Sequence, residues 1–322
     1  MTKLVPDPDL VARFSAELDG LVADDARLGI AVSGGPDSLA LLLLAAAARR
    51  GLVEAATVDH ALRPESRAEA EMVAGICEQL GTAHAILTAQ WERKPESGLQ
   101  ERARIERYRL LRLWAIERGI SALLTAHHAD DQAETLVMRL NRGSGVRGLA
   151  GMRPVRRLGD IDLVRPLLSW GHLELEHICE QAGIEPIRDP SNQNESFERV
   201  RVRQGLAAAD WLETDGIIRS AANLADAEAA LDWAADAEWG WAVRESREEI
   251  VYRSTEAPME IQRRLVERAV CALAKEGEAE LRGSELDRLV AALQAGRTVT
   301  LRGVLCSGGD AWRFTKAPAR RS

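Results

Sequence analysis

Residues 28–50 read LGIAVSGGPDSLALLLLAAAARR: an apolar run, a tight Ser/Gly/Pro turn and a long Ala/Leu stretch. Leu28 to Ser33 predicts a buried strand, and Asp37 to Arg50 a helix with no polar face, hence a buried one. The turn between them, Ser33-Gly34-Gly35-Pro36-Asp37-Ser38, has the composition of an anion cradle. Two glycines let the backbone approach an anion, and the amides of a helix start point at it. The Ser33 and Ser38 hydroxyls can add donors. Asp37 repels phosphate, so its chemistry there is to hold Mg²⁺. The pattern GxxxxGK[ST] is missing, and with it the lysine that reaches β- and γ-phosphates in such loops. An ordinary Ser/Gly turn, with Asp37 and Ser38 favouring the helix start, has the same composition.

Outward from this turn the same alternation repeats. Val53 to Asp59 is a second strand, followed by a helix from Glu65 to Leu80; Thr82 to Thr88 is a third strand, followed by an Arg- and Leu-rich helix from about Ser97 to Arg118. Ile120 to Ala126 is a fourth strand, and Asp130 to Leu140 another helix. Strands alternating with helices at this spacing predict an α/β fold, a doubly wound parallel sheet. Ligands in such sheets bind beyond the carboxyl ends of the strands, where SGGPDS and HHADDQAET both fall.

After about residue 205 the character changes to Ala-rich and helical, with ten acids against three arginines from Glu213 to Glu249. Helical segments from Met259 to Lys275 and Ser284 to Gln294 precede a β-like tail, Thr298 to Phe314. At about 150 residues per domain, 322 residues accommodate two. The expected division is 1–205 and 206–322, the second domain mostly helical. The net charge of -8 excludes a chain that coats nucleic acid through global positive charge, but not local basic patches. The start, MTKLVPDPDL, lacks the pattern of a secretory signal, and the longest apolar run, Leu39 to Ala48, is about half a membrane span, so a cytoplasmic protein with no membrane partner is expected. Cys77, Cys179, Cys271 and Cys306 are far apart with no CxxC pair, which predicts small buried hydrophobes rather than a zinc or disulfide framework.

His127-His128-Ala129-Asp130-Asp131-Gln132-Ala133-Glu134 follows the fourth strand. On a helix beginning near Asp130, Asp131 and Glu134 are three apart and share a face. The acids also suit a helix N-terminus for its own sake, and the same residue types could ligate metal. Arg104 and Arg107 are three apart on the preceding helix. Six arginines (Arg139, Arg142, Arg147, Arg153, Arg156, Arg157) and no carboxylate lie between Met138 and Arg157, with glycines that make parts of the stretch mobile or close-packing. Arg199, Arg201 and Arg203 form a second basic cluster beside DPSN.

SGGPDS resembles the SGGxDS loop of the pyrophosphate-loop ATPases, whose fold is adenine nucleotide alpha hydrolase-like and which split ATP to AMP and pyrophosphate. VDHALRPES (58–66), GLQERARIERYRLL (98–111), TAHHADDQAETLVMRLNRGSGVRGLAGM (125–152), VRPLL (164–168) and DPSNQNESFERVRVR (189–203) fall in the order seen in the tRNA(Ile)-lysidine synthase family. The similarity covers about residues 28–203. Val200 departs from it, standing where the family often has Asn after Arg. The resemblance implies a carbon–nitrogen ligase of tRNA processing that uses ATP and Mg²⁺ to join free L-lysine to C2 of cytidine 34 in the CAU anticodon of isoleucine tRNA, through an adenylated tRNA. It implies ATP contacts from Ser33, Gly34, Gly35, Pro36, Asp37 and Ser38, with His60 at the nucleotide edge and Asp37 on Mg²⁺. Asp131 and Glu134 would grip the lysine side chain with His127 close by, and Arg107 would contact lysine's carboxylate or ATP phosphate. Arg142, Arg147, Arg153, Arg201 and Arg203 would flank the tRNA, for which arginine suits both phosphate and splayed bases. The second domain would dock tRNA through Arg297, Arg302, Arg313, Lys316, Arg320 and Arg321, with its acidic helix facing away from RNA or packing on the first domain. A homodimer is left open. The competing readings are another tRNA-modifying ligase of the same loop class and a non-catalytic nucleotide- and RNA-binding regulator.

Overall fold

Strand β1 (Leu28–Ala31) lies inside the first of two sheets in the computed structural model, which describes residues 4–62, 65–91, 98–187, 197–253, 256–274, 281 and 283–318. The chain divides into two compact units, 1–224 and 225–322.

In the first unit β1 is joined by β2 (Val53–Asp59), β3 (Ala83–Thr88), β4 (Ala122–Leu124), β5 (Val155–Leu158) and β6 (Ile161–Val164), in the order β3-β2-β1-β4-β6-β5. All neighbours are parallel except the edge pair β5 and β6. The four parallel strands expected from sequence are present, and β6 adds a fifth. The β5–β6 hairpin went unread because Arg156, Arg157 and Asp162 interrupt the apolar runs by which β1 and β4 show themselves. The helices are α1 (Pro8–Asp19), α2 (Pro36–Ala48), α3 (Glu65–Leu80), α4 (Leu99–Glu117), α5 (Ala129–Asn141), α6 (Val146–Leu149), α7 (His172–Gln181), α8 (Glu198–Ala208) and α9 (Thr214–Ala242). In α2, Ser38 through Ala45 are all buried, which explains a helix that is apolar all round. It packs with Phe14 and Leu18 of α1 and Leu175 and Ile178 of α7 against the sheet, while Leu111 and Trp114 of α4 pack with Ala56, Leu123 and Leu163.

Ala133 and Leu136 of α5 form a small core with Ile217 and Ala221 of α9, and Leu206 of α8 packs against it. This apolar contact carries the first unit past the expected boundary at residue 205, and the division falls inside α9.

The second unit contains β7 (Val243–Glu245), β8 (Glu249–Tyr252), α10 (Met259–Leu273), α11 (Gly283–Gln294), β9 (Thr298–Leu301), β10 (Val304–Ser307) and β11 (Trp312–Lys316). Its helices build on an antiparallel five-stranded sheet, β7-β8-β11-β10-β9, of which the sequence reading anticipated only the tail. Tyr252, Trp312 and Phe314 pack with Leu265, Val270 and Leu293. The acids of α9 are ordered partly by countercharge inside this unit. Arg264 of α10 donates to Glu228 at 2.9 and 2.6 Å and also pairs with Asp232 and Glu260, while Arg268 pairs with Asp236 at 2.8 Å. The acidic stripe is thus one half of a helix–helix ion network, a partner the sequence reading did not name.

Trp170 shows how packing positions the loop between β6 and α7. Its side chain is fully buried and donates from Nε1 to Glu17 Oε2 at 2.7 Å, with Arg13 stacked 4.0 Å above the ring. Its carbonyl accepts from Ala129 N, the first residue of α5, at 2.9 Å. Trp170→Ala is expected to lower unfolding free energy by about 3–5 kcal/mol, measured by denaturant titration.

Candidate nucleotide site at the carboxyl edge of the sheet

The strand order reverses at β1: β2 leaves on one side and β4 on the other. Ile30 is level with Leu124, and Leu124 with Val164, so the loops after β1, β4 and β6 emerge side by side. They lead into the N-termini of α2, α5 and α7, which bring positive dipole ends to one edge.

The loop after β1 is Ser33–Ser38. Gly34 has φ +87°, and a Cβ there would meet Ile187 Cδ1 at 2.3 Å, so both conformation and space require glycine. Ile187 N donates to Gly34 O at 2.9 Å and pins the turn. Gly35 is the extended N-cap of α2, with Pro36 in the first helical turn. Ser38 Oγ, buried, accepts from Ser33 N at 3.1 Å and donates to Gly35 O at 3.0 Å. Its proton therefore braces the loop, a job different from the phosphate donor expected of it. The bare backbone cradle at a helix start fits a phosphate. Asp37 in the first turn of α2 fits Mg²⁺ as a single carboxylate ligand, the usual protein share beside phosphate oxygens and waters.

Asp37 also has neighbours that were not anticipated. Its Oδ1 accepts from His172 Nδ1 at 2.8 Å, and its Oδ2 lies 3.7 Å from His128 Nε2. His128 and His172 stack, with ring centroids 5.4 Å apart. His172 is the site residue that sequence reasoning missed. The available signal was its place after VRPLL: once β6 is recognised, the rule that ligands gather beyond strand carboxyl ends points to it. The contact with Asp37 raises the His172 imidazole above its ordinary pKa. Burial opposes protonation of His128, but Asp130, Asp131 and Asp37 together carry it above the ordinary value. Asp130 falls to about 2, first because of His128 at 3.3 Å, with the His172 backbone N–H adding a bond at 2.8 Å.

Asp131 and Glu134 do share a face of α5, and α8 meets that face. Arg199 donates Nη2 to Asp131 Oδ1 and Nε to Glu134 Oε2, both at 2.6 Å, and Arg203 Nε donates to Glu134 Oε1. Glu134 is 1% exposed, so this is a buried, doubly paired carboxylate. Burial pushes the Asp131 carboxyl up, but His128 and Arg199 more than offset it and leave it below the ordinary range. Arg203, expected to face RNA, is here a partner of Glu134. His127 shares a hydrogen bond with Thr125 Oγ1 through Nδ1 at 3.0 Å, and burial holds it well below its ordinary pKa and hence neutral.

His60 and Arg107 are brought together. Burial first, and the Arg107 guanidinium second, lower the His60 imidazole, whose backbone carbonyl accepts from Trp91 Nε1 at 2.7 Å. Arg107 and Arg104 both lie 5.2 Å from the Tyr108 ring. In the expected basic loop Gln132 and Met152 exchange two hydrogen bonds, at 3.0 and 2.6 Å, and Arg139 donates to Gly151 O at 3.0 Å. A Cβ at Gly148 would meet Ser144 at 2.6 Å and one at Gly151 would meet Gln132 at 2.7 Å, whereas Gly143 and Gly145 face open space. Arg142 pairs with Glu198, Arg147 lies on α6, and Arg153 O accepts from Arg165 Nη1 at 2.6 Å. Arg201 lies on α8. In the second unit Arg302 pairs with Glu285 and Arg313 with Glu249, both at 3.1 Å. DPSNQNES (189–196), Arg320 and Arg321 lie outside the described residues. A cleft of 610 Å³ lined by Leu43, Arg49 and Gln79 lies at the far end of α2, away from these groups.

A glycine cradle at the strand reversal, with an acid in the first helical turn, is the arrangement of a PP-loop protein, and residues 9–209 match the PP-loop domain family. The chain is 44% identical over 314 residues (96% of this chain, 94% of the relative) to the tRNA(Ile)-lysidine synthase of Zymomonas mobilis. It is 46% identical over 316 residues (97% and 95%) to that of Novosphingobium aromaticivorans. It therefore belongs to the tRNA(Ile)-lysidine synthase family. The U34-tRNA thiolase NcsA of Methanococcus maripaludis, solved with its [4Fe-4S] cluster, shares the fold: TM-score 0.57 at 17% identity, over 68% of this chain and 80% of that one.

The depressed His127 sets a pH signature. The unfolded chain takes up this proton below about pH 6.5 while the folded one resists it, so stability present above that pH is lost as pH falls. His127→Gln is expected to flatten the decline of unfolding free energy below about pH 6.5, measured by denaturant titrations across that range.

Proposed function

We propose that the protein joins free L-lysine to C2 of cytidine 34 in the CAU anticodon of isoleucine tRNA, at the cost of ATP cleavage to AMP and pyrophosphate. The change would turn codon reading from AUG to AUA and charging from methionine to isoleucine. The observation that carries this reading is the placement of a phosphate cradle and a paired-carboxylate face, Asp131 and Glu134, beyond two adjacent strands. The family membership supports the same substrates.

The C2 oxygen of cytidine leaves an aromatic ring poorly, and its conversion to an AMP ester makes it a leaving group. Ser33–Ser38 would hold the departing pyrophosphate, and Asp37 would hold Mg²⁺, which neutralises phosphate charge when bound. Lysine's amine is mostly protonated at pH 7 and must be gripped as ammonium before it gives up a proton and attacks. Asp131 and Glu134 supply that grip. Each carboxylate oxygen has a second lone pair, so an ammonium can be accepted beside the Arg199 and Arg203 guanidiniums. Neutral His127 adds no third cation to this face. Arg107 would bind lysine's carboxylate or an ATP phosphate, with His60 at the nucleotide edge. Arg142, Arg147, Arg153 and Arg201 would meet the tRNA, and the second unit would dock it.

The thiolase with the same fold is a natural rival. Among the described residues no cluster of metal-ligating side chains includes a cysteine, and burial pushes Cys77, Cys179 and Cys306 up to about 12, so they stay thiols. That favours an amine nucleophile over sulfur chemistry. No helix among the described residues is long and apolar enough to cross a membrane, in keeping with the cytoplasm, where tRNA, ATP and lysine meet.

The test is incubation with isoleucine tRNA (CAU), ATP and labelled lysine, following AMP release and label in RNA. Wild type is expected to do both; AMP release without label would overturn the lysine reading. In Asp131→Asn and Glu134→Gln, adenylated tRNA should still form while lysine transfer drops by about 10²-fold or more. Equal loss of both steps would assign these carboxylates to ATP instead.

A further inference from the structure

We propose that Asp37, His128 and His172 form a three-ligand site for a late transition-metal dication of the Zn²⁺ class. The ligand atoms they offer lie within 4.8 Å of one another, and they come from α2, the start of α5 and the start of α7. A tetrahedral site with metal–ligand bonds of about 2.0–2.1 Å has ligand atoms about 3.3 Å apart. Asp37 Oδ1 is 2.8 Å from His172 Nδ1 and Asp37 Oδ2 is 3.7 Å from His128 Nε2, so each imidazole nitrogen lies within about half an ångström of that spacing from one of the two carboxylate oxygens.

Three further features single this cluster out. Mg²⁺ asks for oxygen donors, so two imidazoles are surplus to it, whereas imidazole nitrogen with carboxylate is a donor set for Zn²⁺ and its neighbours. Each imidazole also has a carboxylate behind it: Asp130 Oδ2 is 3.3 Å from His128 Nδ1, and Glu176 Oε1 is 3.8 Å from His172 Nε2. Such outer carboxylates orient metal-bound histidines and fix their tautomers. Finally, His128 is 3% exposed, and its Nδ1 has no aligned hydrogen-bond partner. A metal at Nε2 would place the ring's single proton on Nδ1, facing Asp130. Three helix N-termini disfavour a cation here, and the carboxylates of Asp37, Asp130 and Asp131 offset them. With all three bound, the fourth position of a tetrahedron is left for water or a ligand oxygen. Because Asp37 is also the residue placed on Mg²⁺, a zinc-class ion competes there with Mg²⁺ for the same carboxylate.

The experiment is metal binding by the full-length chain, stripped with a chelator and free of ATP and tRNA, so that failure of the lysine-transfer assay leaves its outcome untouched. Zn²⁺ is titrated against a chromogenic chelator, and Co²⁺ is followed by its visible d–d absorption. Wild type should bind one equivalent, with Co²⁺ bands of four- or five-coordinate intensity. His172→Ala should weaken binding by about a hundredfold, and Asp130→Asn by about tenfold. Imidazole ¹H–¹⁵N spectra of the wild-type chain give a measurement independent of any variant: Zn²⁺ should shift His172 Nδ1 and His128 Nε2 and leave His84 and His177 unchanged. Binding as tight in a folded His172→Ala as in wild type, or imidazole signals of His128 and His172 unmoved at saturating Zn²⁺, would overturn the site.

Discussion

Parallel strands that sit side by side must send every crossover helix off from the same edge, and in the first unit that edge gathers the N-termini of α2, α5 and α7. Each helix start presents unpaired amides and a positive dipole end. Gathered together, they make an edge that has to be met by negative charge, from a ligand or from side chains. Asp37, Asp130 and Asp131 stand in the first turns of these helices, and Ser33–Ser38 leaves bare backbone where a phosphate fits. Cradle, acids and histidines are therefore consequences of one topological fact, the reversal of strand order at β1.

The acids brought to this edge are themselves restrained. Glu134 is buried and held by Arg199 and Arg203 from α8, and Asp37 is held by His172 from α7. A buried carboxylate without a partner would be costly, and removing both guanidiniums would strand Glu134 uncompensated. The arrangement fixes the orientation of both carboxylates. The second unit solves the same problem for structure alone: Arg264, 4% exposed, is encircled by Glu228, Asp232 and Glu260. Charge pairing across helices thus restrains carboxylates at the strand edge in one unit and packs helices together in the other.

Much of the first unit was legible along the chain. Strands β1 to β4 follow from apolar runs, helices α2 to α5 from longer helical stretches, and the Ser33–Ser38 turn from composition. The hairpin of β5 and β6 was not legible, because the charges of Arg156, Arg157 and Asp162 break up its apolar pattern, and with it went the signal for His172. The division inside α9 was hidden for another reason: Ile217 and Ala221 look like any apolar positions on a helix until α5 is seen beneath them.

What the sequence determined by itself is the local chemistry: a glycine turn that can approach phosphate, carboxylates three apart on one helix face, arginines concentrated near the motifs, and cysteines too scattered for a cluster. What only the tertiary structure decided is which of these meet. Asp37 and His172 are 135 residues apart in the chain, and Arg199 and Glu134 are 65 apart. Periodicity and composition act over one or two turns of chain, whereas these contacts are set by strand order and helix packing. The residue types of the candidate site were therefore readable early, and the partners that hold them became visible only in the fold.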